Sequence, residues 1–191
     1  TCLNVGCIPS KALLQSTSHY AFLKDGATAH GVESDGLRFD LGRMLQRKNG
    51  VIASMRKGVS QLVSSRGVEI LKGQATIERA GLLKVRTAEG ERSIEARSIL
   101  IATGSEPVGL PFLPFDGKHV VSSTEALSFD SVPSRLLVIG GGAIGLEMAS
   151  IWSRLGSDVT VLEFLPRIAP ASDAEAGSAL EKTLTRQGIR I

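Results

Sequence analysis

Thr1-Cys2-Leu3-Asn4-Val5-Gly6-Cys7-Ile8-Pro9-Ser10-Lys11 opens the chain and holds both of its cysteines, with four residues between them and a lysine four residues past the second. A disulfide needs Cα atoms roughly 4.4–6.8 Å apart. The step from Cys2 to Cys7 rises about 7.5 Å in an ideal helix and about 17 Å in a strand. Neither regular form closes a bridge, so bonding requires a turn or a distortion between the two, which Gly6 permits. From Ile8 to Leu14 the sequence reads as a helix start, with Pro9 tolerated in a first turn and Ala12, Leu13 and Leu14 propagating it. Cys7 then sits at a helix N-terminus, whose partial positive charge stabilises a thiolate, and Lys11 adds a full charge one turn on. This pattern describes a redox disulfide with one activated sulfur. A structural staple and two inert buried thiols are the other readings, although a bridge closing so short a loop removes little chain entropy.

Outward from this stretch, residues 9–24 read as a first helix and residues 30–40 as a loop containing Gly31 and Gly36. A second helix is expected over Leu41–Ser65, where Met44, Ile52, Met55, Val59, Leu62 and Val63 recur at helical spacing. Gly50 and Gly58 weaken it, and Arg47, Lys48, Arg56 and Lys57 lie off the apolar stripe, as solvated residues do. The two helices are expected as an antiparallel hairpin covering a sheet. From Val68 the period changes to two: strands are expected at 68–71, 74–78, 82–87 and 92–96, a small antiparallel meander. Residues 98–104, Ser-Ile-Leu-Ile-Ala-Thr-Gly, read as a wholly buried strand of a parallel sheet ending in a tight turn. Ligands bind beyond the carboxyl ends of such strands, which places Thr103 and Gly104 well for a cofactor, with Ser105 next to them as a further candidate; taken alone, the turn also reads as a plain strand end. Residues 105–133, rich in Pro and Gly, read as a connection, with a short capped helix at 123–127. His19, His30 and His119 fall in no catalytic pattern, and no metal site is expected.

Arg135-Leu136-Leu137-Val138-Ile139 is an apolar strand followed at once by Gly140-Gly141-Gly142-Ala143-Ile144-Gly145, a helix over 143–155, and a second strand at 158–163. A glycine pattern between strand and helix is the phosphate turn of a dinucleotide fold. Gly140 allows the tight turn, Gly142 the approach of a pyrophosphate, and Gly145 the packing of helix on strand. Gly141, Ala143, Ile144 and Leu146 complete the candidate turn. Glu163, ending the second strand, would accept hydrogen bonds from an adenosine ribose and repel a 2′-phosphate, favouring NAD over NADP; Arg167 lies nearby, past the strand. Glu147 sits just inside the helix, where a carboxylate also suits the dipole. A helix over 172–187 reads as scaffold, and residues 188–191 as the start of another strand.

The chain has 191 residues, 42% of them hydrophobic, a net charge of +3 and no Lys/Arg block, which argues against nucleic-acid binding. No apolar run reaches the roughly 18 residues of a membrane span. Closely spaced cysteines in a chain of this kind suit a catalytic bridge in a reducing compartment. Both ends read as cut, so the expectation is an interior stretch of a longer protein.

The segment Cys-Leu-Asn-Val-Gly-Cys-Ile-Pro-Ser-Lys-Ala-Leu-Leu resembles the redox-active segment of the dihydrolipoamide dehydrogenases, flavin-dependent pyridine nucleotide–disulfide oxidoreductases. The resemblance extends in order through the meander, the Ala102-Thr103-Gly104 turn, the connection and the glycine motif. It implies an α/β protein with two incomplete Rossmann-like domains. These are a partial FAD-binding domain at 1–104, a connection at 105–133, and a partial NAD-binding domain at 134–191. Cys2 would exchange with the lipoyl disulfide, Cys7 would be the charge-transfer sulfur beside the flavin, and Lys11 would sit near the reactive edge of its ring. Ala75, in Gly73-Gln74-Ala75, would meet the adenine of FAD through its backbone, and Glu147 would lie near the nicotinamide. Glutathione reductases tend to have two lysines where this chain has Ser10-Lys11.

The implied activity is oxidation of dihydrolipoyl groups, with electrons passing through Cys2–Cys7 and FAD to NAD⁺. Implied partners are lipoyl domains of 2-oxoacid dehydrogenase or glycine cleavage complexes and a second copy of the parent. The implied location is the cytoplasm of a bacterium or the mitochondrial matrix of a eukaryote, the cytoplasm being favoured. The first FAD glycine strand would precede Thr1, and a dimerisation domain with a His–Glu acid/base pair would follow Ile191. This stretch alone is expected neither to hold FAD tightly nor to turn over. A mercuric or other flavin disulfide reductase, and a non-catalytic NAD-binding or assembly module, remain as other readings.

Overall fold

The computed structural model describes residues 1–191. The chain divides into two compact units, one of Thr1–Ala53 with Glu106–Ile191 and the other of Ser54–Ser105.

In the first unit, α1 (Cys2–Val5) ends at Gly6 and α2 (Cys7–Ala21) begins directly after it. The break is forced by backbone: Gly6 has φ −136° and ψ −113°, and a Cβ there would come within 3.2 Å of the Cys2 Cα. A π-helical turn (Phe22–Gly26) and a 3₁₀ turn (Ala27–His30) carry α2 into the loop. The second helix, α3 (Leu41–Ser65), runs through Gly50 and Gly58 without interruption, its residues from Ser54 on belonging to the second unit. After it the connection folds a capping box into α4 (Ser123–Ala126), with the Ser122 hydroxyl taking the Thr124 N–H and Glu125 reaching back to the Ser122 N–H.

Next come β4 (Arg135–Ile139), α5 (Ala143–Arg154) and β5 (Asp158–Leu162), which form a β-α-β unit whose strands pair in parallel, Arg135 opposite Asp158 through Ile139 opposite Leu162. The last helix is α6 (Ala174–Arg186), capped by the Asp173 carboxylate on the Glu175 and Ala176 N–H groups. Thr160 and Arg190 then form a parallel bridge, the start of a third strand, as the terminal residues suggested.

Helix α5 is apolar on two faces and holds the unit together. One face joins Leu13 of α2, Ala126 and Leu127 to Met148, Ile151, Trp152 and Leu155. The other packs Leu146 and Ala149 on Val159, Val161, Ile168, Leu184 and Ile189. The Trp152 indole is fully buried, and its Nε1–H donates to the Ala126 carbonyl at 3.1 Å. In this unit α2 packs on α5.

The second unit holds the meander β1 (Gly73–Arg79), β2 (Leu82–Thr87) and β3 (Gly90–Glu95), antiparallel in the order β1-β2-β3. Gly73 is required there, since a Cβ would overlap the Arg86 carbonyl.

Four expectations fail. Residues 68–71 form no strand, because β1 takes its partner from β2 and nothing pairs upstream. Residues 98–104 form none either: Leu100 is 90% exposed and Ile101 69%. An apolar run becomes a strand only beside a hydrogen-bonded neighbour, and β1–β3 pair only with one another. Along α3, Met55, Val59 and Leu62 are exposed, and Met44, Ile52 and Val63 are only partly buried. Lys48 is not solvated. It is 4% exposed, and its ammonium donates to the Leu127 carbonyl at 2.7 Å and the Ser128 hydroxyl at 2.9 Å, closing the C-terminal end of α4. Arg47 likewise bonds the Ala12 carbonyl at 3.1 Å and the Gln15 side chain at 2.5 Å, tying α3 to α2.

Candidate functional site

The break at Gly6 brings the Cys2 and Cys7 Cα atoms to 4.6 Å, and the two sulfurs are bonded. Both residues are exposed, so the bridge is open to an incoming thiol. Cys7 is the first residue of α2, and no side chain caps that end. The free N–H groups of a first turn stabilise negative charge, so when the bridge opens Cys7 is the sulfur better held as thiolate.

One turn further, α2 meets α5 through charge. The Lys11 ammonium pairs with Glu147 Oε1 at 2.5 Å, and the Ser10 hydroxyl donates to Glu147 Oε2 at 2.5 Å. Lys11 is 61% exposed at its side chain, Glu147 23%, and Ser10 is buried. Arg154, at the far end of α5, reaches back to the Leu14 carbonyl at 3.4 Å. Ser10 was not singled out from sequence as a functional residue. Its signal is that Ser10, Leu13 and Thr17 share the buried face of α2 at i, i+3, i+7.

The glycine turn sits at the other side of Glu147. Gly140 has φ +106°, a conformation that favours glycine. At Gly145 a Cβ would overlap the Gly140 carbonyl oxygen and approach Val138 Cγ1 to 3.1 Å, so β4 and α5 pack closely only without one. At Gly142 nothing lies within 4 Å of the Cβ position. Helix α5 has no side-chain cap, and its first closing bond runs from Leu146 N–H to the Gly142 carbonyl. The N–H groups of Ala143, Ile144 and Gly145 thus precede the first helical acceptor pair, as at any open helix start. Open space above Gly142 and an uncapped N-terminus fit a pyrophosphate, so these residues could hold a dinucleotide.

Glu163 follows β5 and turns onto this loop. Its Oε2 accepts the Gly141 N–H at 2.7 Å and its Oε1 the Leu165 N–H at 2.8 Å. These backbone donors, Leu165 first and then Gly141, hold its carboxyl below the ordinary range. The carboxylate braces the turn and keeps lone pairs for a further donor. Arg167 does not face the turn as a free cation: it donates to the Ser172 and Pro170 carbonyls, each at 3.0 Å.

Cys2, Cys7, Lys11, Glu147, Gly140–Leu146 and Glu163 thus lie in one compact unit. The other candidates lie in the second unit. Ala75 is exposed in β1 opposite Val85, and Thr103, Gly104 (φ +90°) and Ser105 are exposed on irregular backbone. His119, given no partner from sequence, lies 3.8 Å from Asp116, whose carboxylate accepts the N–H groups of Lys118, His119 and Val120.

An exposed disulfide at a helix start, joined by an ion pair to the helix of a dinucleotide turn, is the layout of a nucleotide-linked disulfide oxidoreductase. The chain belongs to the pyridine nucleotide-disulphide oxidoreductase family, whose pattern matches residues 1–191. It is 47% identical over 190 residues to a dihydrolipoyl dehydrogenase of Trypanosoma brucei brucei, covering 98% of this chain and 40% of that protein. It is 45% identical over 192 residues to dihydrolipoyl dehydrogenase 3 of Pseudomonas aeruginosa, covering 100% of this chain and 41% of that protein. Among solved structures, LpdA from Mycobacterium tuberculosis superposes with a TM-score of 0.85 at 26% identity, over 99% of this chain and 42% of its own. The HOCl-induced flavoprotein disulfide reductase RclA from Escherichia coli superposes at 0.78 and 29% identity, over 100% and 40%. The chain therefore spans about 40% of the length of the curated relatives it matches. No helix is long and apolar enough to cross a membrane.

Proposed function

We propose that this chain is the redox-disulfide and NAD-turn portion of a dihydrolipoyl dehydrogenase that uses FAD and NAD⁺. The observation that carries the reading is the exposed Cys2–Cys7 bridge at the start of α2, tied through Ser10 and Lys11 to Glu147 on the helix of the glycine turn. The similarity to dihydrolipoyl dehydrogenases supports the substrate.

In this reading a dihydrolipoyl thiolate attacks Cys2 and displaces Cys7 as thiolate. The second substrate thiol then attacks the mixed disulfide, releasing the cyclic lipoyl disulfide and leaving both cysteines reduced. Two electrons pass from the substrate to the cysteine pair; one substrate proton goes to solvent when the attacking thiolate forms, and the other is taken up by the released Cys2 sulfur while Cys7 stays a thiolate. Bound flavin would take that electron pair onward to NAD⁺ as hydride. The chain's own share is to offer Cys2 to solvent, to stabilise Cys7 as leaving group at the helix start, and to fix Lys11 beside it by pairing with Glu147. Gly140–Gly145 and the open α5 terminus would hold the NAD pyrophosphate, with Leu146 and Glu147 beside it and Glu163 taking the adenosine ribose. Ala75, Thr103, Gly104 and Ser105 would contact FAD.

The division into a partial FAD domain at 1–104, a connection at 105–133 and a partial NAD domain at 134–191 belongs to the same proposal. So do lipoyl domains of 2-oxoacid dehydrogenase or glycine cleavage complexes as partners, and a second copy of the parent chain. The test is NADH formation from dihydrolipoamide by the flavin-loaded protein containing this chain. Cys2→Ser and Cys7→Ser should each lower the rate by on the order of 10³ or more, as loss of a covalent participant does. Unchanged NADH formation in either variant refutes the assignment.

A further inference from the structure

Two donors hold the Glu147 carboxylate, and they are unlike. Lys11 is more than half exposed, and an ion pair in that setting is screened and mobile, so it fixes the position of a carboxylate weakly. Ser10 is 3% exposed, seated on the buried face of α2 between Pro9 and Leu13, and its hydroxyl donates to the second carboxylate oxygen. A short side chain with one rotatable bond to its oxygen loses little entropy in holding that geometry. A hydrogen bond to an ionised acceptor is also among the stronger kinds. Glu147 in turn is the fifth residue of α5, just past the open terminus that carries the glycine turn.

We propose that Ser10 is the positioning residue that fixes the Glu147 carboxylate, and that the exposed Lys11 pairs with a charge already held in place by that buried hydroxyl. Ser10 touches no reacting atom. It acts through Glu147, directly on the nucleotide side of the site and on the disulfide only at one remove, through Lys11. The proposal rests on the function proposed above for its kinetic consequence, and on the contact alone for its existence.

Two measurements on the flavin-loaded protein separate these. In rapid mixing, Ser10→Ala should slow electron transfer to NAD⁺ by on the order of 10-fold, while reduction by dihydrolipoamide slows by no more than about 3-fold, because a displaced Glu147 reaches the disulfide only through the exposed Lys11. Ser10→Thr keeps the hydroxyl and should restore most of the NAD⁺ rate. Ser10→Ala combined with Glu147→Ala should be no slower than Glu147→Ala alone. Equal slowing of both half-reactions, no slowing at all, or losses that multiply in the double variant would overturn the proposal. If the wild-type protein oxidises no dihydrolipoamide, the functional reading fails, and the same four proteins still decide the contact by urea unfolding. Midpoint losses that fall short of additive support the clamp, and additive losses refute it.

Discussion

Replacing Gly145 with alanine sets a methyl group against the Gly140 carbonyl oxygen and within 3.1 Å of Val138 Cγ1. The Gly140 oxygen belongs to backbone in a φ +106° turn, so no side-chain rotation relieves the overlap and α5 must move off β4. Forcing a carbon into a packed contact costs about 1–3 kcal/mol, against about 1 kcal/mol gained from the helix propensity of alanine over glycine. The upper end of the cost applies, because backbone yields less than side chains, leaving a net loss of about 1–2 kcal/mol. With a urea dependence of about 1–3 kcal/mol per M, the unfolding midpoint should fall by roughly 0.3–2 M.

Gly142→Ala is the control. Its Cβ meets nothing within 4 Å, and φ −77°, ψ 177° suits any residue. The poorer helix cap costs about 0.5–1 kcal/mol, and the stiffer unfolded chain returns about 0.4–1 kcal/mol. Stability should therefore be near wild type, while the methyl group occupies the space proposed for a pyrophosphate. NADH binding, followed by fluorescence titration, should weaken by about 10-fold or more in Gly142→Ala. A wild-type urea midpoint for Gly145→Ala would refute the packing argument, and undiminished NADH affinity for Gly142→Ala would refute the placement of the phosphate.

Three further outcomes follow from the same structure. Backbone N–H groups of Lys118, Val120 and His119 pull the Asp116 carboxyl down to about 2, and those of Leu165 and Gly141 hold Glu163 below its usual range. A folded carboxyl below its unfolded value adds stability above the unfolded value and loses it as pH falls through the folded one. The urea midpoint should therefore drop between about pH 4 and 2, and less steeply in Asp116→Asn. Arg167 is committed to the Pro170 and Ser172 carbonyls, so Arg167→Ala should leave the ratio of NADH to NADPH dissociation constants within about 3-fold, whereas Glu163→Ala should raise it. Lys48→Met removes the donor to the Leu127 carbonyl and the Ser128 hydroxyl and should cost about 1–3 kcal/mol in denaturant unfolding, the penalty for buried acceptors left unpaired.

What could be read from the sequence was whatever local geometry settles by itself. The Cys2–Cys7 spacing demanded a break, Gly6 was the residue able to make it, and the chain breaks there. Strand, glycine turn and helix at 135–154 follow from apolar runs and glycine placement, and the elements start where those cues lie. The failures depend on partners. Ser-Ile-Leu-Ile-Ala-Thr-Gly at 98–104 has the composition of a buried strand, but composition does not supply a neighbour, and without one the backbone stays irregular. Lys48 looked like a solvated lysine because it lies off the apolar stripe of α3; what buries it is the end of α4, far along the chain. Ser10 is invisible for the same reason, since a serine gains its meaning only from the carboxylate that a distant helix brings to it.

Helix α5 explains why these distant groups meet. Its two apolar faces force α2 onto one side and β4, β5 and α6 onto the other, so it cannot slide without exposing Trp152 or Ala149, both wholly buried. Truncating a tryptophan so placed costs about 3–5 kcal/mol, more than any one surface contact near the disulfide supplies. The position of the α5 backbone at Glu147 relative to α2 is therefore set by hydrophobic packing a turn or more away, and on that frame Ser10 holds the carboxylate. That order of strength has a consequence for the electron path proposed here. Substitutions at Ile151 or Trp152, which touch no cysteine and no glycine of the turn, should disturb the Ser10–Glu147 contact more than removal of the Lys11 charge does.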